Sequence, residues 1–185
     1  MMYSWKKIVR NSIPILTIAV LIEVFAGQIL QGNQQKLLLL PIFLISIPVI
    51  NGVGGNIGSI LGARLASGLH VGYIDYNIRD KNMHKNFISS LFMGFITYSI
   101  LAILIYFIAS FGNLQMSISL LEFVSIVLGT GIFLIFIISI VSVFTAFWSF
   151  KRGLDPDDMV APVVTTVGDT LGIVFLFLLI GVVGV

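Results

Sequence analysis

Five stretches of the chain are each apolar enough to cross the hydrocarbon core of a lipid bilayer, which takes a helix of about 20 residues. They cover approximately residues 13–32, 37–65, 87–110, 119–150 and 159–185. Their apolar runs are continuous, whereas an outer-membrane barrel shows alternating strands of about ten residues. The turn signal Phe111-Gly112-Asn113 separates the third stretch from the fourth. We therefore predict an all-α integral membrane protein with five transmembrane helices.

The composition excludes the soluble classes of protein. Of the 185 residues, 58% are hydrophobic and 10% are charged, whereas a soluble domain carries roughly a quarter charged residues. A net charge of +2 is too small for a nucleic-acid-binding protein. The chain has no cysteine, which excludes a thiolate nucleophile and a cysteine-based metal site. We expect a single membrane domain over residues 1–185.

The basic residues predict how the chain is oriented in the membrane. In the five-span arrangement nine of the ten Lys and Arg residues fall on one side. These are Lys6, Lys7, Arg10, Arg64, Arg79, Lys81, Lys85, Lys151 and Arg152, and only Lys36 falls on the other side. Because Lys and Arg are enriched in cytoplasmic loops, we predict a cytoplasmic N-terminus and an external C-terminus in the plasma membrane.

Asp169 is the most informative polar residue, because it lies about ten residues into the fifth span, on the order of 15 Å along the helix axis. No Lys or Arg lies at comparable depth to pair with it. Intramembrane acids usually face a water-filled path or a partner, so an ion path is one interpretation. The alternative is a protonated carboxyl hydrogen-bonded within the bundle. Ala161 and Thr165 share the helix face of Asp169, since residues four apart lie one above the other.

The second span carries an unusual run of small and polar residues from Asn51 to Gly58. Gly54, Gly58 and Gly62 recur every four residues, which is typical of a face for close helix packing. The same glycines weaken the helix. Backbone N–H and C=O groups that lose their helical hydrogen bonds in a membrane are tolerated only against protein or a water-filled cavity. Packing and cavity lining are both open interpretations of this run.

The remaining acids in or beside the spans also have two interpretations each. Asp155, Asp157 and Asp158 precede the fifth span and either attract cations at a cytoplasmic mouth or serve as helix caps and solvated residues. Glu23 is a second acid inside a span. It is expected to give polar support through a hydrogen bond between helices.

Two segments together carry a resemblance to a known family. They are Pro48-x-x-Asn51-Gly-x-Gly54-Gly55-Asn56-x-Gly58, and Gly153-Leu154-Asp155-Pro156 followed by Ala161-Pro162-Val163-Val164-Thr165-Thr166-x-x-Asp169. In this order and spacing they resemble the transmembrane domain of MgtE-type magnesium transporters and of their eukaryotic solute-carrier relatives.

The resemblance implies a dimer with an ion path on its two-fold axis, lined by the second and fifth helices. It implies that Asp169 of each subunit holds a largely hydrated Mg²⁺, which is the transported ion and not a cofactor. By the same resemblance Thr165 is a metal-site residue one turn toward the cytoplasm. The pore-lining residues that we expect are Ala161, Gly54, Gly55, Asn56, Asn51 and Thr166. We expect neither the N-terminal domain nor the CBS regulatory domains of typical MgtE proteins. Because the solute-carrier branch fuses two such units and this chain has one, the resemblance implies a homodimer or a heterodimer with a sibling half-transporter.

Several alternatives remain open at the level of sequence. Sodium-coupled Mg²⁺ exchange of the solute-carrier type keeps the same path, and Mn²⁺, Co²⁺ or Ca²⁺ would suit the same oxygen ligands. A non-transporting accessory subunit would leave Asp169 without a role in flux. A membrane phosphotransferase is disfavoured, because Ile60 stands where its Gly-x-x-Ala-Arg motif requires glycine before Ala63-Arg64.

Overall fold

The computed structural model describes residues 5–77, 79–112, 114 and 117–184, and the secondary structure within these ranges is entirely helical. The helices are α1 (Trp5–Gly32), α2 (Gln34–Leu39), α3 (Pro41–Val71), α4 (Lys81–Phe111), α5 (Leu120–Lys151) and α6 (Pro156–Val183). Five of them are long and apolar enough to span a membrane, as predicted. Asn113 of the predicted turn and Val185 at the end of the fifth predicted span lie outside the described residues.

The second apolar stretch contains a break that its hydropathy does not reveal. Residues 37–39 belong to the six-residue helix α2, and the chain leaves helical geometry at Leu40. Pro41 then begins α3, a position where a proline costs no hydrogen bond because the first N–H groups of a helix are unpaired. The spanning helix therefore runs from Pro41 to Val71, and Gly72 ends it in the left-handed conformation with φ of 74°.

Helix α3 lies inside the bundle, where it contacts α4, α5 and α6, and α5 also packs against α4 and α6. Helix α1 packs against α6 at the edge of this group. Among the described side chains of α1, Ala26 alone is buried. Most of its other described apolar side chains are exposed, as expected for a helix whose surroundings are lipid, and Ile15, Ala19, Ile29 and Leu30 are half-buried.

Glycines allow α3 to pack closely against its neighbours. A Cβ atom at Gly62 would lie 2.9 Å from Cβ of Val160 on α6, and one at Gly58 would lie 3.1 Å from Cβ of Val164 on α6 and would also clash with Ile138 on α5. A Cβ atom at Gly54 would lie 2.9 Å from Leu134 Cδ2 on α5. The packing interpretation of this glycine repeat is confirmed.

Backbone carbonyls of α3 that face the bundle accept hydrogen bonds from neighbouring helices. The Tyr98 hydroxyl of α4 donates to the Ile50 carbonyl at 2.7 Å, and the Ser142 hydroxyl of α5 donates to the Gly58 carbonyl at 2.9 Å. Because membrane interiors offer no water to polar groups, these bonds keep the run from Asn51 to Gly58 helical despite its glycines.

Candidate functional site

The carboxylate of Asp169 has no partner among the residues that the structure describes. Asp169 lies at the middle of the 28-residue helix α6 and is half-buried. No described side chain donates a hydrogen bond to its carboxylate or forms an ion pair with it. Its backbone carbonyl instead accepts a hydrogen bond of 3.1 Å from Asn51 Nδ2 on α3. The acid is therefore fixed through its backbone, while its carboxyl group is left open to a ligand.

Helices α3 and α6 pack side by side on the same face of α5. Ile138 of α5 lies in the crevice between them, since a Cβ atom at either Gly58 or Gly168 would meet its side chain. Asn56 on α3 and Thr165 on α6 are exposed, so they lie on a side of the two helices that α5 does not cover. We call this side the open face and define it by Asn56 and Thr165, which are exposed, and by the half-buried Asp169.

Thr165 presents its hydroxyl oxygen on the open face, one turn from Asp169. The hydroxyl donates to the carbonyls of Ala161 at 2.9 Å and Pro162 at 3.1 Å, which leaves the lone pairs of the oxygen available. Its methyl group packs against Gly55, where a Cβ atom would lie 3.0 Å from Thr165 Cγ2. Gly55 therefore brings α3 close to the face that carries Thr165. Ala161 is half-buried one turn further along the same stripe.

The other predicted lining residues on α3 lie inside the subunit. Gly54 is buried and faces Tyr98, Leu134 and Ile138. Asn51 is buried between α3 and α6, with 7% of its surface exposed. Lining of an ion path by Gly54 and Asn51 stays a prediction.

Glu23 of α1 lies beside the same stretch of α6. The hydroxyl of Thr166 donates a long hydrogen bond of 3.5 Å to Glu23 Oε1, which is the contact between helices that the sequence predicted for this acid. Thr166 itself is buried, whereas Glu23 is exposed. Two carboxylates, Glu23 and Asp169, thus lie along one edge of α6 at membrane depth.

Asp155, Asp157 and Asp158 lie at the start of α6. The side chain of Asp155 caps the helix by accepting a hydrogen bond of 3.1 Å from the N–H of Asp157, and its Oδ1 atom lies 3.8 Å from His70 Nε2. Asp157 and Asp158 are exposed in the first turn, where negative charge suits the helix dipole. Capping by Asp155 is confirmed, and attraction of cations by the three acids stays a prediction.

Gly172 is a functional candidate that sequence reasoning missed. The side chain of Asn51 lies directly over it, so that a Cβ atom at this position would clash with Asn51 Oδ1. That oxygen has no hydrogen-bond partner among the described residues. The available signal was the spacing of Gly168 and Gly172, which repeats on α6 the four-residue glycine pattern of α3.

One subunit does not form a closed metal site by itself. Within the described ranges no group of three or more His, Asp or Glu side chains could hold a metal ion. What the open face offers is one carboxylate, one hydroxyl oxygen and one exposed amide. Such a set suits a hydrated cation that is shared with further groups, because Mg²⁺ is commonly bound through one or two carboxylates and retained waters.

Comparison with protein families gives a match to MgtE, described as a divalent cation transporter, over residues 47–179. The match includes α4, α5 and most of α3 and α6, and therefore Asn51, Asn56, Thr165 and Asp169. A comparison with curated proteins found no match.

Proposed function

Because the chain belongs to the MgtE divalent cation transporter family, we propose that two copies of it form a path for Mg²⁺ across the plasma membrane. Membership of this family supports divalent cation transport and a multi-pass membrane protein rather than an enzyme. The choice of Mg²⁺, the dimer and the role of each residue are the proposal.

The observation that carries the proposal is the unpartnered carboxylate of Asp169 at the middle of α6. An ionised acid in a bilayer is costly and is retained where it faces a partner or a water-filled path. Within the described ranges no basic side chain pairs with it. A transported divalent cation is the partner that the family membership supplies.

The open face is also the surface that a second copy would cover. Asn56 and Thr165 are exposed polar residues at membrane depth, and lipid cannot hydrogen-bond to them. A second copy related by a two-fold axis would place its own Asp169 across the path. The paired carboxylates would hold the ion, while Thr165 and Asn56 would hydrogen-bond to the waters that Mg²⁺ retains. The path would continue past Ala161 toward Asp155, Asp157 and Asp158, whose charges would raise the local concentration of cations.

The proposal is tested by Mg²⁺ flux into proteoliposomes at a clamped membrane potential, with and without a sodium gradient. The critical variant is Asp169→Asn, which keeps the size of the side chain and removes its charge. We expect flux to fall by about tenfold or more, because the attraction of a carboxylate for a divalent ion exceeds the about 1.4 kcal/mol that a tenfold change requires. Asp75→Asn is the matched control, since Asp75 is exposed in the segment between α3 and α4.

Each result of the flux measurement has a defined meaning. Flux that follows the potential, ignores sodium and is lost only in Asp169→Asn supports a channel-like path. A requirement for an opposing sodium gradient would replace it with exchange, and faster transport of Mn²⁺, Co²⁺ or Ca²⁺ would change the ion. Equal flux in the wild type and Asp169→Asn would overturn the role of Asp169, and absence of flux in the folded wild type would favour an accessory subunit or a missing sibling.

A further inference from the structure

A large groove lies on another part of the bundle, and none of the residues that define the open face lines it. It has a volume of about 950 Å³ and lies between the start of α4, the last three turns of α5 and the segment that joins α3 to α4. Its apolar wall is formed by Met83, Phe87, Ile140, Val143, Phe144 and Phe147. Near the last turn of α5 and the start of α4 its lining also includes Arg79, Lys151, His84 and Trp148, and we call this end its opening. The groove is thus apolar along its length and basic at its opening.

The basic opening has no acidic residue in its lining. Asp80 is the acid nearest in sequence to Arg79, and its Oδ1 atom accepts hydrogen bonds of 2.8 Å from the N–H groups of Met83 and Asn82. The hydrogen bond from Met83 holds the pKa of the Asp80 carboxyl below its usual value. Asp80 is therefore ionised at neutral pH, but it is engaged in capping α4. Within the described ranges neither Arg79 nor Lys151 forms an ion pair, so their charges are available to a ligand.

The first residues after α3, which lead to the groove residues Tyr76 and Asn77, are held in place by α3. Ile74 is buried with 2% of its surface exposed and packs on Gly68, where a Cβ atom would clash with it. The N–H groups of Tyr73 and Ile74 both donate to the Gly68 carbonyl, at 2.9 and 3.0 Å. Asn82 Nδ2 adds a hydrogen bond of 3.0 Å to the Tyr73 carbonyl. These contacts hold the chain on both sides of the groove residues Tyr76, Asn77 and Arg79, which favours a pre-formed pocket.

The position of the groove along α5 fits a lipid. Lys151 is the last residue of α5, so the opening lies where the helix leaves the bilayer. Ile140 marks the inner end of the lining and lies about 16 Å deeper at about 1.5 Å per residue. The basic groups therefore stand at headgroup level, and the apolar wall runs into the hydrocarbon region. Aromatic residues such as Trp148 and Tyr76 are typical of this boundary.

From this arrangement we infer that the groove binds an anionic phospholipid, with its phosphate at Arg79 and Lys151 and an acyl chain along Phe87, Val143 and Phe144. Basic pockets between transmembrane helices are known to bind anionic headgroups. A second copy of the chain is a poorer occupant, because a two-fold interface would bring the same basic residues face to face. The inference is independent of the ion path and rests on the charge and shape of the groove.

The test uses Trp148 as a reporter of the lipid in the groove. The chain has two tryptophans, so the variant Trp5→Phe leaves the fluorescence of Trp148 alone. This protein is reconstituted in phosphatidylcholine bilayers that contain either brominated phosphatidylglycerol or brominated phosphatidylcholine at the same mole fraction. Bromine quenches tryptophan on contact. We expect stronger quenching by the brominated phosphatidylglycerol, which unbrominated phosphatidylglycerol should reverse by competition.

The decisive comparison is between two double variants with the same net charge. Arg79→Gln/Lys151→Gln removes the two basic groups of the groove, and we expect its preference for the anionic lipid to fall by about 25-fold, taking about fivefold for each basic residue near an anionic surface. Arg10→Gln/Arg64→Gln removes two basic residues that are exposed elsewhere at the predicted cytoplasmic end and should retain the preference.

Three outcomes would overturn the inference. Equal quenching by the two brominated lipids in the Trp5→Phe protein would mean that the groove does not select anionic lipid. Retention of the preference in Arg79→Gln/Lys151→Gln would place the selected lipid elsewhere. An equal loss in both double variants would reduce the effect to general attraction by a positively charged surface. Monodisperse elution and unchanged helical circular dichroism establish that each variant is folded before it is compared.

Discussion

At the scale of single residues, Asn51 links the two helices that carry the open face. Its Nδ2 atom donates to the Asp169 carbonyl at 3.1 Å. Its Oδ1 atom lies over Gly172 and has no hydrogen-bond partner within the part of the chain that the structure describes. The amide thus holds the backbone of α6 at the level of the acid. A glycine at 172 is required because any side chain there would displace Asn51.

A double-mutant cycle measures this link. Asn51→Ala should destabilise the protein by about 1 kcal/mol through the lost hydrogen bond. Gly172→Ala should cost at least as much, because its Cβ atom displaces Asn51 and breaks the same bond. The double variant should cost less than the sum of the two, with a coupling of about 0.5–3 kcal/mol. Reversible unfolding in mixed detergent micelles provides the four free energies, and additive values would contradict the link.

The importance of Asp169 was predictable from sequence, whereas its neighbourhood was not. An acid deep in an apolar run stands out because burying a charge in a bilayer is costly. The contact between Asn51 and Asp169 joins residues that are 118 positions apart, and periodicity within one helix carries no information on such a pair. The role of Gly172 depends on that contact, so it became visible only in the structure.

At the scale of helices, α3 has one face that packs against neighbouring helices and another face that does not. Gly54, Gly58 and Gly62 lie against α5 and α6, where the absence of side chains permits close packing. Gly52, by contrast, has nothing within 4 Å of a Cβ atom built on it. Glycines in one helix are therefore needed at some positions for packing and at another position have no packing requirement.

Gly62→Ala and Gly52→Ala form a matched pair that compares a glycine needed for packing with a glycine that has no packing requirement. The added Cβ atom at Gly62 would lie 2.9 Å from Cβ of Val160, and because the branched Val160 side chain has little freedom to move, we expect destabilisation of about 1–3 kcal/mol. Gly52→Ala should be neutral or slightly stabilising, since alanine is the better helix former. Thermal unfolding in detergent distinguishes them, and equal effects at the two positions would refute the two-face description.

The glycine repeat predicted this packing because a four-residue period maps onto one face of a helix. The ends of the helix were harder to predict. The residues on both sides of Leu40 are apolar, so hydropathy does not reveal that the helical geometry is interrupted there before Pro41. At the other end the helix extends past Arg64 to Val71, because a helix does not stop where its residues leave the apolar core.

At the scale of the whole molecule, the five spans were predictable and their arrangement was not. Hydropathy alone identifies spanning helices, because each must satisfy its backbone hydrogen bonds internally. Which helix lies inside the bundle depends on contacts between distant segments, and α1 proves to lie at its edge beside α6. The open face likewise follows from the shared packing of α3 and α6 on α5, and it leaves polar residues uncovered in a single subunit.

Cross-linking of single-cysteine variants tests whether a second copy covers the open face. The chain has no cysteine, so Asn56→Cys and Thr165→Cys each introduce one reactive thiol without further changes. Because a residue beside a two-fold axis lies near its own counterpart, bifunctional thiol reagents of graded length should join two copies in membranes through either site. Phe107→Cys is the control, since this exposed residue belongs to α4, which packs mainly against α3 and α5. Dimers formed through Phe107→Cys alone would place the interface on α4, and dimers formed through none of the three would favour a sibling half-transporter as the partner.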